Sequence, residues 1–292
     1  MKIKIIVICV LTIFSLNFLK SQEKFKPELN RPLHKGDKYL FESEYTESGS
    51  QKATVSGIKV MDTSSLKSYS FNGSVSIIDV DESGREIRKN LKVSSFTLAD
   101  GAEKSQILKS GQIITATYTL NQLPLFEISD STEIPKPLTD SANYKIFKEL
   151  FVQNGGTGQV AMIGLDKPRK IGEKWKLGEK EIKEFTSNLE GGLAMKKFIG
   201  IVSLKEKKII NGTESLIYGV SISTTKLEIP KIKTKSGNMN INIDFAIPVK
   251  ELMPPIQTLI SVNVKFTGEI PEQKNGLIFI DYNIKKVSNI SF

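Results

Sequence analysis

Few residues in this sequence have the types and the spacing that chemistry requires. Asp79-Val80-Asp81-Glu82-Ser83-Gly84 carries the acids, the serine and the glycine that begin a calcium-binding EF-hand loop. The twelfth position of such a loop should be a bidentate glutamate, and here it is Asn90. The flanking residues alternate as strands do, whereas an EF-hand has a helix on each side. We therefore predict a polar hairpin tip over 79–84 and no metal site.

Other catalytic groups are equally scarce. His34 is the only histidine, so a Ser-His-Asp triad would have to use it, and a zinc site built from several histidines is excluded. No G-x-S-x-G elbow is present, and the glycine-rich 155–158 lacks the Lys-Ser/Thr of a P-loop, so no cofactor is predicted. A carboxylate-dependent hydrolase stays open. Its candidate acids, which exposed strands and turns explain equally well, are Glu42, Glu44, Asp79 and Asp81. No catalytic residue is assigned.

The amino terminus predicts export. Lys2 and Lys4 precede an apolar run of 14 residues from Ile5 to Phe18, which is shorter than a membrane span of about 20 residues. Lys20-Ser21-Gln22 follows, and the whole pattern is typical of a secretory signal peptide over residues 1–21. A retained signal anchor is the alternative. We expect the mature protein in the periplasm, outside the cell or at the cell surface.

Cysteine and charge narrow the function further. Cys9, the only cysteine, lies inside the predicted signal peptide, so the mature chain would have no disulfide, thiolate nucleophile or cysteine metal site. Export without disulfides favours a bacterial envelope. The formal net charge is +9 for the full chain, and its basic residues are dispersed without interleaved aromatics. Together with export, this predicts no nucleic-acid partner.

Strand patterns and hairpin turns fill most of the chain. The clearest strand lies at 239–247, where apolar residues alternate with Asn240, Asn242, Asp244 and Ala246. Asp100-Gly101, Asn211-Gly212 and Asn275-Gly276 are hairpin signatures, and Ser236-Gly237-Asn238 is also predicted to turn. The sequence therefore predicts a mainly β protein with antiparallel sheets. One large curved sheet and two β lobes are both compatible with these patterns.

One helix is predicted near the middle of the chain. After a proline-rich stretch at 121–139, Thr139 or Asp140 can cap a helix whose apolar stripe has helical spacing. That stripe consists of Ala142, Ile146, Phe147, Leu150 and Phe151. A short helix is marginal alone, so it should pack on a sheet. We divide the chain into a first β region at 33–120, a connector with the helix at 121–169, and a second β region at 170–292.

The only tryptophan follows a glycine turn at the start of the second β region. Lys170-Ile171-Gly172-Glu173-Lys174-Trp175 has a shorter counterpart in Lys35-Gly36-Asp37-Lys38-Tyr39. With Leu125–Asp130 and the predicted helix, this layout resembles exported β-rich bacterial proteins of unknown function that have a Gly-acid-x-Trp turn after a mid-chain helix. The resemblance implies export and a β-rich fold. It does not imply any particular activity, because these proteins have none assigned. Trp175 is expected to be a buried core residue, with a ligand platform as the alternative.

These observations favour an exported, non-enzymatic binding protein of the bacterial envelope for an apolar or lipid-like ligand. Trp175, Phe147 and Phe151 are the candidate ligand contacts. A structural or interaction protein of the cell surface is the second hypothesis, and the carboxylate-dependent hydrolase is the third. The expected partner is a lipid, a glycan or another envelope protein, and the sequence does not distinguish these.

Overall fold

The computed structural model describes residues 24–26, 32–119, 124–129, 151, 167–179, 182, 194–229, 232–249, 255–271 and 273–292. Within these ranges the chain forms fourteen strands. They are β1 Lys24–Phe25, β2 Lys38–Val55, β3 Ile58–Val80, β4 Glu86–Asp100, β5 Glu103–Leu108, β6 Ile113–Thr117, β7 Leu125–Ile128, β8 Arg169–Lys170, β9 Lys174–Lys176, β10 Ala194–Ile210, β11 Thr213–Glu228, β12 Lys233–Pro248, β13 Gln257–Glu269 and β14 Gly276–Ser291. The predicted mainly β, antiparallel fold is confirmed.

Twelve strands form one continuous sheet. Its order is β7-β6-β4-β3-β2-β14-β13-β12-β11-β10-β9, and β5 pairs with β4 off this path. β1 and β8 form a separate two-stranded pair. The last strand, β14, pairs along β2 from Gly276 opposite Val55 to Ser291 opposite Leu40. This pairing joins the strands near the two ends of the chain, so the described strands form one large sheet and not two separate lobes.

The hairpin turns lie where the sequence predicts them. Gly101 has φ +60°, and Asn211 and Gly212 have φ +49° and +80°. Asn275 has φ +56° in the turn before β14. These are left-handed conformations that asparagine and glycine adopt at little cost, and their twist matches that of the flanking strands. The three predicted hairpins are therefore confirmed.

Two turn assignments differ from the sequence analysis. Ser56 and Gly57, with φ +50° and +81°, form the turn between β2 and β3, although no hairpin is predicted there. Ser236-Gly237-Asn238, predicted to turn, continues β12, and the register shifts between Thr234 and Ser236. A Cβ on Gly237 would lie 2.7 Å from the carbonyl oxygen of Leu227, so this glycine allows close approach of β11 and not a turn.

The predicted helix is not supported by the described residues. Its range, 140–153, lies outside them except for Phe151, which is in a turn. Glu179 and Ile182 have helical geometry, and the Ile182 amide donates to the Gly178 carbonyl at 3.1 Å. Among the described ranges, no helix combines the length and the apolarity needed to cross a membrane. The predicted signal peptide at 1–21 also lies outside them.

The sheet has an apolar face and a polar face. Residues directly opposite in an antiparallel pair point to the same side of the sheet. One such row crosses eight strands on the apolar face: Val202, Val220, Ile243, Ile260, Lys286, Tyr45, Tyr69 and Leu98. The neighbouring positions, such as Asn242, Ser261 and Ser68, form the polar face. The alternation predicted at 239–247 thus extends across most of the sheet.

The apolar face carries two buried clusters. The first cluster is built mainly on β2, β3, β4 and β6 and includes Tyr69, Phe71, Phe96 and Ile114. The second cluster is built mainly on β10 to β13 and includes Val202, Tyr218 and Phe266. Between them, the β14 and β2 side chains of the apolar face form what we term the midline. We restrict the midline to the polar side chains at the centre of this strand pair, which are Ser43, Tyr45, Glu47, Tyr282, Lys286 and Ser288.

Candidate ligand-binding strip on the apolar face

An aliphatic strip lies between the two clusters. Its residues, from β13 and β14, are Ile260, Val262, Ile278, Ile280 and Ile284, and each is half-buried. Ile284 packs against the first cluster, whereas the other four pack against the second. The core side chains of both clusters are almost fully buried, whereas solvent still reaches the β-branched side chains of the strip. Such a surface gains free energy when another apolar group covers it.

The midline places polar groups beside this strip. Ser43 Oγ and Ser288 Oγ are 3.1 Å apart across the β2–β14 pair. Lys286, which is buried, lies directly opposite Tyr45. The Tyr45 hydroxyl donates to Glu47 Oε2 at 3.4 Å. A ligand on the strip would therefore lie beside hydroxyl and carboxylate groups, and the Tyr282 side chain lies on β14 between Ile280 and Ile284.

Tyr282 and Glu47 are coupled within the midline. Burial raises the pKa of the Tyr282 hydroxyl, and its hydrogen bond to the Glu47 carboxylate raises that pKa further. The Tyr282 ring lies across β2 at Gly49, where a Cβ would come within 2.9 Å of ring atom Cδ2. Gly49 therefore provides the space that brings the Tyr282 side chain over β2 and toward Glu47.

A buried ion pair lies at the other end of the first cluster. Lys89 Nζ is 2.6 Å from Glu86 Oε2, and the two side chains are 3% and 0% exposed. The Tyr39 hydroxyl donates to Glu86 Oε1 at 2.8 Å. Burial works to lower the pKa of Lys89, but the charges of Glu86 and the nearby tyrosines outweigh it, so that pKa is raised. Lys89 also lies 5.2 Å from the centre of the Tyr118 ring.

Two of the predicted ligand contacts fall on the connector. Phe147 lies outside the described residues. Phe151 is 1% exposed and belongs to the first cluster. Its ring is surrounded by those of Phe41, Phe71, Phe96 and Phe126, with centroids 5.0–6.4 Å away. In this structure Phe151 is a core residue, and its contact with a ligand stays a prediction.

Trp175 differs from the expected buried core residue. It is half-buried on the edge strand β9, opposite Val202, and packs against the second cluster. The Arg169 guanidinium lies 4.3 Å from the ring centre, and Arg169 also pairs with Glu173 at 2.7 Å. Because β9 is an edge strand, Trp175 packs against the second cluster, and the Arg169 guanidinium lies over the indole ring in a cation–π contact. Its role as a ligand contact also stays a prediction.

The acids at 79–84 support a turn. Asp81 Oδ1 accepts hydrogen bonds from the Ser83 amide at 2.9 Å, the Ser83 hydroxyl at 2.6 Å and the Arg85 amide at 3.0 Å. Asp79 is exposed and accepts from the Val80 amide. Among the described residues, no group of three or more His, Cys, Asp or Glu side chains is arranged to hold a metal ion.

Replacing Asp81 with alanine should lower the free energy of unfolding by about 1 kcal/mol at pH 7. The hydrogen bonds from Ser83 and Arg85 lower the pKa of Asp81 from 3.8 to about 2. A lowered folded-state pKa contributes stability above the unfolded pKa, and this contribution is lost as the pH falls toward 2. Urea denaturation of Asp81→Ala and of the control Asp79→Ala, from pH 7 to pH 2.5, measures it. An equal loss for both variants would contradict the assignment.

The other candidate catalytic groups lie apart on exposed surface. The His34 side chain is exposed. The backbone amide of His34 donates to the Asp37 carboxylate at 2.8 Å. Glu42 and Glu44 are exposed on the polar face, where Glu42 accepts from the Asn72 amide group. The four candidate carboxylates thus lie on an open sheet face and on a turn, and they do not converge in a cleft.

A concavity of about 260 Å³ lies mainly on the polar face. Its lining includes Ser50, Lys52, Asn238, Lys265 and Asp281. Lys265 and Asp281 face each other at 3.5 Å and neutralise each other, and Lys52 is the remaining charged side chain of the lining. We therefore place the candidate site on the apolar face, where exposed hydrocarbon and buried polar groups lie side by side.

The strip and the midline are not among the sequence-predicted site residues. Alternation at 260–266 and 277–284 predicts strands there, but it does not reveal that these two strands lie between two cores. The sequence signal that could have located the midline is a break in the apolar–polar alternation of β14. Lys286 and Ser288 occupy positions where the period of β14 requires apolar residues.

No family model matches this chain, and no curated protein matches it. Three solved structures resemble it weakly. A structure described as lipid–protein interactions in lipovitellin is 8% identical with a TM-score of 0.32, covering 86% of this chain and 25% of that chain. This chain thus spans about a quarter of that one's length.

The other two resemble this chain over most of their own length. A DUF1329 family protein from Desulfovibrio piger is 9% identical, with a TM-score of 0.16 and coverage of 82% and 83% of the two chains. A LolA superfamily protein from Nitrosomonas europaea is 8% identical, with a TM-score of 0.14 and coverage of 87% of each chain. At these scores the three likenesses carry no conclusion about function.

Proposed function

We propose that this protein is an exported, non-enzymatic binding protein that holds an apolar or lipid-like ligand on the strip. The observation that carries the proposal is the position of half-buried aliphatic side chains between two closed clusters on one sheet face. A rigid sheet presents these side chains in fixed rows, so a flexible alkyl chain can cover them without reorganising the protein.

The cellular setting is part of the proposal. The basic residues, apolar run and small-residue boundary at 1–21 support export, and an exported chain with no cysteine after Cys9 favours a bacterial envelope. The resemblance to exported β-rich bacterial proteins with a Gly-acid-x-Trp turn points the same way. A lipid-like ligand is the kind of apolar molecule that a bacterial envelope contains in abundance.

Replacing Val262 with aspartate should weaken binding of an apolar probe at least about tenfold, because the probe would desolvate a carboxylate. The probe is N-phenylnaphthylamine, whose fluorescence rises in an apolar environment. The matched control is Leu259→Asp, which introduces the same charge on the polar face of the same strand. Circular dichroism and urea denaturation establish that both variants are folded.

A second variant separates loss of binding from the destabilisation that a buried charge can cause. Val262→Trp adds no charge and fills part of the strip, so it should also reduce probe binding. Unchanged probe affinity in both Val262 variants, or equal loss in Leu259→Asp, would contradict the proposal. Those outcomes would favour the structural or interaction hypothesis, in which the strip has no ligand.

A further inference from the structure

Glu47 is the acidic group of the midline, and it lies beside the strip. On the apolar face it is opposite Ile284 of β14 and Lys67 of β3. It is half-buried, so solvent or a ligand can reach its carboxylate. An ionised carboxylate only accepts hydrogen bonds, and its two oxygens offer about four acceptor positions. A ligand group beside Glu47 must therefore supply donors.

The described neighbours of Glu47 use only part of this capacity. The Tyr45 hydroxyl donates to its carboxylate at 3.4 Å, and Glu47 is close enough to Tyr282 to raise the pKa of the Tyr282 hydroxyl. Lys67, the nearest basic residue by strand register, faces Asp100 at 3.7 Å. Within the described ranges, no lysine or arginine nitrogen forms a salt bridge with Glu47. The described neighbours therefore leave acceptor positions of the carboxylate for a ligand group.

We infer that Glu47, with Tyr45 and Tyr282, forms a head-group subsite for an amphiphile whose head donates hydrogen bonds and carries no negative charge. The inference rests on the proposed function, since the alkyl chain would lie on the strip. A hydroxyl or ammonium head group fits the acceptor. A carboxylate or phosphate head group would be repelled by Glu47, which has no hydrogen to donate to it, and the Lys286 ammonium of the midline is buried.

Head-group competition tests this inference in the full-length protein. Dodecylammonium, monolauroylglycerol and laurate have alkyl chains of similar length and differ in the head, and each displaces N-phenylnaphthylamine if it binds. At pH 7.5 the wild type should bind dodecylammonium and monolauroylglycerol at least about tenfold more tightly than laurate, as charge-assisted hydrogen bonds require. Glu47→Gln should remove this preference, whereas Glu44→Gln, on the polar face of the same strand, should retain it.

The outcomes separate the two proposals. If all three amphiphiles displace the probe with equal affinity, or if Glu47→Gln leaves the preference unchanged, the head-group inference is overturned and strip binding stands. Tighter binding of laurate than of dodecylammonium also overturns it. If the probe itself does not bind to the wild type, the proposed function fails first, and the head-group subsite fails with it.

Discussion

Replacing Lys89 with methionine should lower the free energy of unfolding by about 3–5 kcal/mol, because it removes the ammonium that faces the buried Glu86 carboxylate. The two side chains are almost fully buried, and their charged atoms are 2.6 Å apart. Methionine preserves most of the aliphatic volume of lysine, so the expected loss comes from the broken ion pair and not from a cavity. Urea denaturation at pH 7 measures this loss.

Two further variants isolate the ion pair. Lys92→Met, three residues along β4 on the polar face, removes an exposed charge and should change stability by less than about 0.5 kcal/mol. The double variant Lys89→Met with Glu86→Gln should recover part of the loss, since no buried charge is left. A loss below about 1 kcal/mol for Lys89→Met alone would show that water or another group compensates Glu86, and would refute this account of the first cluster.

Replacing Phe151 with alanine should also cost about 3–5 kcal/mol, because it opens a cavity among four phenylalanine rings. Phe151 is 1% exposed, and its ring centre is 5.0 Å from that of Phe71. Its carbonyl accepts a hydrogen bond from the Tyr118 hydroxyl at 2.8 Å, which ties it to the sheet. Thermal and urea denaturation measure the loss.

Phe279→Ala is the control for Phe151. Phe279 is 40% exposed on the polar face, so its removal should change stability by less than about 1 kcal/mol. A Phe151→Ala protein with the wild-type free energy of unfolding and no probe binding would contradict the core assignment. That result would restore Phe151 as the ligand contact that the sequence predicts.

Local patterns predict much of this fold. The residues 239–247 alternate in sequence and lie within β12, where the buried Met239, Ile241 and Ile243 alternate with exposed Asn240 and Asn242. Asn211-Gly212 requires the left-handed conformation that the structure has, because a tight hairpin turn must match the twist of its strands. A turn fixed by one residue pair and a strand fixed by its own alternation can therefore be predicted from the sequence.

Long-range pairing could not be predicted. The contact of β2 with β14 joins residues near the two ends of the chain, and nothing in either strand specifies the other. The hairpin tip around Ser56-Gly57 is also obscured, because residues 61–66 are exposed or half-buried on both faces and show no alternation. At Gly237, a position that suggests a turn instead allows close approach of Leu227. In each case, tertiary contacts outweigh the local signal.

The candidate site is less predictable than the fold, for a related reason. Trp175 and Phe151 stand out in the sequence as large aromatics, yet one is half-buried at a sheet edge and the other is enclosed in the first cluster. Val262 and Ile284 are ordinary strand residues whose importance arises only from their position between two clusters. Glu47 lies on the apolar face because of the register of β2, which the sequence leaves undetermined.

Photolabelling with an alkyl diazirine tests the central claim most directly. A dodecyl chain carrying the diazirine at its far end is irradiated with the folded protein, and the labelled residues are mapped by peptide mass spectrometry. We predict that the label lies on the strip, at Ile260, Val262 or Ile284, and that unlabelled dodecanol competes it away. Labelling confined to Leu259, Phe279 or other residues of the polar face, or labelling that dodecanol leaves unchanged, would contradict the claim that the apolar face binds the ligand.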